Sequence, residues 1–484
     1  MLLCIACVLP FLLPQLSESI LTGLCQAIGP RQTFALFVVR WIFYSFLGVG
    51  ILTLNPFGLG DVADQASQDA FYKVMAPLYQ SSAQKDILVV LQNDRTIDAL
   101  HSQGAIRANE WPLLYQDHGV ILERLGRYNA RAVFVDVYFK KERSIDSSLP
   151  RMERRLQRVQ ERFKTRYLFA GGYSDEELTP IQKSLDSKFW LTVNGWEGYE
   201  KGYPLRDGGR YTSAYELYRI ACLGDSPLDS CAKDVLDESP VVEGTALSVR
   251  WGSRPAPPPF PEVITDVCSG KQDDIAEMAR QLFWGLVNDF VDYDGDQALE
   301  VPCPYQQVLF ADDLLYFDKM GTPEQKERLR SLVENKIVLY GLHLEGLHGI
   351  VRSPVHGLLP GVMLHAMALD NLMSDGQDVV RAANEELDRL NQWAWVVVAG
   401  LISLLLLFID MKGRVNNKWM EYSRSLVVAF GIFSILVLAG GMFLILRYEP
   451  LNSIGYLALL GIVGQFVNSE LTKRVVIIIE RVLK

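Results

Sequence analysis

Long uncharged apolar runs are what most restrict the fold of this chain. Three of them, residues 393–409, 426–446 and 451–469, crowd into its C-terminal end, separated by charged or polar turns. A fourth, residues 34–54, lies near the N-terminus with Arg40 inside its first turns. At about 1.5 Å of rise per residue, each is about long enough as a helix to cross a hydrocarbon core of roughly 30 Å. Core helices of a soluble domain rarely come so apolar, so long and so close together. Four transmembrane helices are therefore predicted, with the lipid bilayer as the first partner.

Their orientation follows from where the basic residues fall. Arg31 and Arg40 mark the start of the first run, and Lys412, Arg414, Lys418 and Arg424 fill the loop between the second and third. Lys473, Arg474, Arg481 and Lys484 follow the fourth run, whereas the loop before it has only Arg447. With four spans, every basic cluster lands on one side. Both ends are then cytoplasmic, residues 59–390 form a large periplasmic domain, and the protein is a multi-pass component of the inner membrane. Residues 1–33 fit this scheme less simply. Their apolar run is broken by Pro10 and Pro14 and no basic residue precedes it, so it fails as a secretory signal. It reads as an interfacial or partly inserted segment, with a fifth span as the alternative.

The net charge of −10 comes with no basic, aromatic-interleaved patch, which argues against nucleic acid as a partner. Cys4, Cys7 and Cys25 precede the first run, while Cys222, Cys231, Cys268 and Cys303 lie in the outer region. An even number of cysteines in an oxidising compartment suits two disulfides. Cys222 and Cys231 bracket a Gly-Asp-Ser-Pro turn, which leaves Cys268 for Cys303. None of these four has a CxxC or CxxH partner, so no zinc site is expected.

Within the outer region, residues 86–91, 132–139, 167–170 and 337–340 read as strands apolar on both faces. Helical periodicity falls between them, at 113–128 and 150–164, and after them from Val362 to a stop at Gly376. Buried strands alternating with helices predict an α/β domain, a parallel-rich sheet flanked by helices, beside the α-helical transmembrane bundle. The segment SRPAPPPFP, residues 253–261, reads as an extended linker into a largely helical insertion at 268–331. Residues 343–361 read as a loop.

Several of these segments carry a family likeness. They are ILVVLQND, Trp111-Pro112, AVFVDVYF, GYPLRDGGRYTSAYELYRIAC, CPYQQVLFADDLL, and KIVLYG followed by PGVMLHAMALDNL. Over most of residues 85–376 the chain resembles the CHASE2 domain, the cyclase/histidine-kinase-associated extracellular sensor of the second type. One span before and three after match that family's arrangement. The resemblance implies a sensor held outside the cytoplasmic membrane. Two positions depart from the pattern: Gln92-Asn93 replaces the acidic end of the first strand, and the family's WPWPR run is reduced to Trp111-Pro112-Leu113-Leu114.

Asp136 interrupts an apolar strand, and a buried carboxylate is costly unless partnered. It either pairs with an arginine or faces the crevice at the carboxyl ends of the strands, where open α/β sheets bind ligands. That crevice would also gather Asp94, Arg95, His343, Glu345 and Arg352. His343, His348, His356 and His365 raise the question of a transition metal. No two of them have the i, i+4 spacing of a helical metal pair, and the resemblance makes His365 part of a helix start. They are expected to pack or cap. The acidic stretch of Asp289, Asp292, Asp294, Asp296 and Glu300 fails the EF-hand register, with Gly295 fourth and Cys303 twelfth from Asp292. Neither metal nor cofactor is predicted, and no nucleophile or phosphate-loop signature indicates an enzyme.

After the last run, Leu471, Val475, Ile478 and Val482 repeat with 4-3-4 spacing, the seam of a helix pair. Gly455, Ala458, Gly461 and Gly464 form a small-residue edge in the run before it. Together they suggest a homodimer or higher homo-oligomer; a membrane-surface helix is the alternative. The expected function is a sensor without a fused output domain, signalling to a separate cytoplasmic or membrane protein. The alternatives are a membrane effector whose spans assemble and perturb the bilayer, with Gln465 and Asn468 as polar span residues, and an extracytoplasmic enzyme.

Overall fold

The computed structural model describes residues 68–260 and 304–382 apart from 70, 142, 174–176, 196–201, 238–240, 242–243 and 345–348, together with scattered residues within 41–46, 389–401 and 433–449. The chain divides into two compact units, residues 69–382 and residues 1–68 with 383–484. In the latter, Trp41 Nε1 donates to the Val396 carbonyl at 2.9 Å, which brings the first apolar run against the second. Among the described residues no helix is long and apolar enough to cross a membrane. Segment 1–33, run 451–469, Leu471, Val475, Ile478 and Val482 lie outside the described residues, as do most of the other three runs and Cys268, Cys303, Glu345 and His348.

Unit 69–382 is built around one sheet. β1 (Ile87–Gln92) leads to α1 (Asp94–Ser102) and α2 (Tyr115–Arg127), and β2 (Ala132–Val135) to α3 (Leu149–Phe163). β3 (Arg166–Ala170), α4 (Pro180–Asp186) and β4 (Trp190–Thr192) follow. Three two-residue strands, β5 (Tyr203–Pro204), β6 (Arg206–Asp207) and β7 (Arg210–Tyr211), precede α5 (Ser213–Cys222) and β8 (Ala246–Leu247). Then come β9 (Gln307–Phe310), α6 (Ala311–Met320), α7 (Pro323–Val333) and β10 (Ile337–Leu342). A hairpin of β11 (Ile350–Ser353) and β12 (Gly357–Pro360) and the long α8 (Gly361–Asp375) close the unit. The main sheet has the order β4-β3-β2-β10-β1-β9, and all its pairings are parallel.

Alternation along the strands sorts the core into two layers. Ile87, Val89, Leu91, Phe134 and Leu339 pack against α5 and α8. Leu88, Val90, Val133, Val135, Val338 and Tyr340 face α1, α2, α3, α6 and α7. α3 lies half in water, burying a stripe of Met152, Leu156 and Val159, whereas α8 buries Val362 through Met373 on every side. Gly376 ends α8 with φ of 54°, a conformation that suits glycine, as the expected stop required.

The structure corrects four boundaries. β2 ends at Val135 rather than running to residue 139, and the Asp136 N–H just beyond it still donates to Tyr340 O of β10 at 2.8 Å. Asn93 does not merely turn the chain: its side chain accepts from the Thr96 N–H at 2.8 Å and caps α1. The expected loop at 343–361 contains the β11–β12 hairpin. Residues 304–333 belong to the sheet as β9, α6 and α7, with β9 beside β1, and not to an insertion. The proline-rich residues 253–260 have neither helix nor strand, and Phe260 at their end stacks on Phe317 with centroids 3.9 Å apart.

Candidate functional site

β10 sits between β1 and β2, yet its helix α8 covers the opposite face from α1, α2 and α3. Connections leaving neighbouring strands therefore diverge at their carboxyl ends, the geometry that opens a ligand crevice in an α/β sheet. Asp136, one residue beyond β2, lies at this divergence. Its Oδ1 is 3.8 Å from Nε2 of His365 in the first turns of α8, and its side chain remains 22% exposed against 6% for His365. Gly361 heads α8 beside this carboxylate; a Cβ there would stand 3.9 Å from Oδ2.

Behind His365 is a network of neutral groups. Tyr203 OH is 2.8 Å and Ser213 Oγ 3.0 Å from its Nδ1. The Ala214 N–H donates to Tyr203 OH at 3.1 Å, which leaves the phenol proton for the imidazole. The Asn194 amide lies 3.3 Å from Nε2. Turned so that its nitrogen donates to Thr192 O at 2.9 Å, Asn194 presents its oxygen to Ser213 Oγ and to this side of His365. With the phenol donating, Nδ1 accepts and the ring proton sits on Nε2, whose neighbours are the Asn194 amide oxygen at 3.3 Å and Asp136 Oδ1 at 3.8 Å.

Burial sets the charges. It pushes Asp136 up from 3.8 to about 7 and holds His365 down at about 3. At neutral pH the pair is a neutral imidazole beside a carboxyl group close to its midpoint, and only the carboxyl end meets water. Ser213, His365 and Asp136 are in contact range, but Ser213 is fully buried at the start of α5. Its hydroxyl serves Tyr203, His365 and Asn194, so it supports the imidazole and is not an accessible nucleophile. A shallow pocket of about 60 Å³ adjoins this network, lined by Gly171, Gly172, Tyr173, Thr192, Val193 and Arg210 among others. It lies just past the carboxyl ends of β3 and β4, where Tyr173 still bridges Gly195, and Thr192 joins it to Asn194 at 2.8 Å.

Of the five expected ligand residues that are described, only Asp136 is in this cluster. Among the described residues no arginine pairs with it; its partner is His365. Asp94 and Arg95 head α1 on the exposed surface, and Arg95 acts on Asp313 of α6. Burial, with Asp312 adding, raises Asp313 to about 6 and Arg95 opposes the rise. His343 is exposed, its N–H bonded to Gln92 O at 2.8 Å, and Arg352 is exposed on β11. Glu345 lies outside the described residues. His356 is buried, with Nε2 2.8 Å from Gly252 O, a packing role as expected. Among the described residues no group of histidine, cysteine and acidic side chains is arranged to hold a metal. Gln92, which stands where the family pattern is acidic, is fully buried and accepts from Tyr340 OH, whose oxygen is 3.0 Å from His118 Nδ1. Tyr203, Ser213, Asn194 and the site role of His365 were not read from the sequence.

A parallel α/β sheet with helices on both faces offers a polar crevice at the carboxyl ends of its strands, the place where ligands bind in such sheets. The CHASE2 domain model matches residues 44–408, most of the chain, and the chain belongs to that family. CHASE2 domains are extracellular sensory domains and not catalytic ones. No curated protein and no solved structure matches the chain.

Proposed function

We propose that this chain is a multi-pass inner-membrane sensor. Its CHASE2 domain, held outside the cytoplasmic membrane, detects a small polar molecule in the crevice at Asp136. The change passes through the transmembrane runs to a separate output protein, with Leu471, Val475, Ile478 and Val482 as the contact seam of a homodimer. The observation that carries the reading is the Asp136–His365 pair, a water-facing carboxyl group raised to about 7 on a neutral imidazole where strand connections diverge. Perturbed titratable groups in a crevice concentrate at functional sites. Asp94, Arg95, His343, Glu345 and Arg352 form the wider rim of this site in the same reading. The Trp41–Val396 hydrogen bond supports packing of the first and second spans.

The test is a thermal-shift screen of small metabolites on the purified protein, run beside Asp136→Asn. A ligand at one hundred times its Kd stabilises by about 2.7 kcal/mol. Compounds that raise the wild-type Tm are expected to lose that effect in Asp136→Asn. Ligands that stabilise both proteins alike would move the site away from Asp136.

A further inference from the structure

One short strand joins the crevice to both ends of unit 69–382. β8 pairs with β5 through Tyr203↔Leu247 and Pro204↔Ala246, and the Leu205 N–H donates to Thr245 O at 2.9 Å. On its other side β8 meets the departing chain: Leu247 bridges Arg381, the Ser248 N–H donates to Val380 O at 2.9 Å, and the Ala382 N–H donates to Ala246 O at 2.9 Å. The entering chain reaches the same place, since Tyr72 OH lies 2.5 Å from Ser248 Oγ. Little slack remains between these parts. Gly202 has φ of 103°, and a Cβ there would sit 2.6 Å from Ala382 Cβ and 3.0 Å from Leu247 O.

A second route runs along α8. Its far end holds Asp370, which accepts from Tyr79 OH at 2.5 Å, and Asn371, which donates to Tyr79 OH at 2.8 Å and to Arg250 O at 3.1 Å. Arg250 itself pairs with Asp375. Both routes start at His365: the one through Tyr203 reaches Tyr72 and residues 380–382, and the one through the helix that carries it reaches Tyr79 and Arg250.

We propose that residues 245–248 are a clasp that couples the crevice to the entering and departing chain. This deepens the sensing role proposed above for the Asp136 crevice and rests on it. Tyr203 OH donates to Nδ1 only while that nitrogen keeps its lone pair and its present direction. Occupation of the crevice that turns the ring, or puts a proton on Nδ1, removes the acceptor. Tyr203 then turns its proton to Ser213 Oγ at 3.0 Å or shifts, and β5, β8 and both junction segments are hydrogen-bonded to respond with it. Coupling of this kind needs a continuous element that both sites bias, and the clasp supplies one.

Hydrogen exchange on the full chain in lipid nanodiscs tests this without any ligand. Tyr203→Phe keeps the ring and removes the hydroxyl. It is expected to speed exchange at the Ser248 and Ala382 amides about fivefold or more, leaving the Arg131 and Arg166 amides unchanged. Asp136→Asn is expected to alter exchange at Ser248 and Ala382 in the wild-type background and to have no further effect beside Tyr203→Phe. Equal acceleration at all four amides, no change at Ser248 and Ala382, or additive effects of the two substitutions would each overturn the clasp. The thermal-shift screen is scored independently, so the sensing site and its coupling can fail separately.

Discussion

Asp136 is held where burial disfavours its charge, and the pH dependence of stability should reveal it. Its folded-state pKa of about 7 lies above the ordinary 3.8. A group raised in this way contributes stability below about pH 4 that is lost as pH rises through 7. Asp136→Asn removes that loss, so its stability relative to wild type should grow between pH 5 and pH 8, by about 2–3 kcal/mol. Tm measured for both proteins across this range checks it; a constant difference would mean that the carboxylate stays ionised throughout. His365 acts in the opposite sense. Its folded-state value of about 3 lies below 6.5, so its contribution is present above 6.5 and fades as pH falls toward 3. Asp136 was legible in the sequence because a charge in an apolar strand needs an explanation. His365 was visible but already accounted for by its helix-start motif. Tyr203, Ser213 and Asn194 are ordinary polar residues in their own segments, and only the contact of α8 with β5 and α5 gives them a shared role.

At the scale of elements, strands apolar on both faces were readable because a sheet covered on both sides leaves no polar alternation. β1, β2, β3 and β10 were therefore found, with α2, α3 and α8. β9 and β4 were not, since a short edge strand buries less and carries a weaker signal; Gln307, Val308 and Phe310 are all only partly buried. The hairpin was hidden because Ser353, Pro354 and Gly357 also suit an irregular loop, and its pairing depends on register that no local pattern specifies. The turn between Cys222 and Cys231 was legible, and the disulfide is present with a Cα–Cα distance of 5.7 Å. It closes the end of α5, and just after it the Ala232 N–H bonds Met373 O of α8 at 2.7 Å. Loop-closure entropy for about ten residues predicts that replacing both cysteines by alanine costs about 2–3 kcal/mol. Peptide mapping without reduction should recover the Cys222–Cys231 link, and denaturation of the double variant gives the cost. Two unpaired thiols would place this unit in a reducing compartment and argue against the periplasmic assignment.

For the whole molecule, the decisive quantity is the side of the membrane on which each basic cluster lies. The insertion machinery retains lysine and arginine on the cytoplasmic side, so Lys412, Arg414, Lys418 and Arg424 should share a compartment with Lys473, Arg474, Arg481 and Lys484. That requires an even number of crossings between the 412–424 loop and the 473–484 segment, and an odd number between either of them and the CHASE2 unit. The loop holding Arg447 as its single basic residue then lies outside with that unit. Lys326→Cys on the exposed surface of α7 should react with a membrane-impermeant maleimide in intact spheroplasts, above the background of the seven native cysteines. Lys484→Cys should react only after permeabilisation. If Lys484→Cys labels in intact cells while Lys326→Cys also does, one of the three C-terminal runs fails to cross and the proposed route to a cytoplasmic partner is lost. If Lys326→Cys is protected and Lys484→Cys is not, the whole assignment inverts, and the fault must lie before the CHASE2 unit, where segment 1–33 precedes the first span.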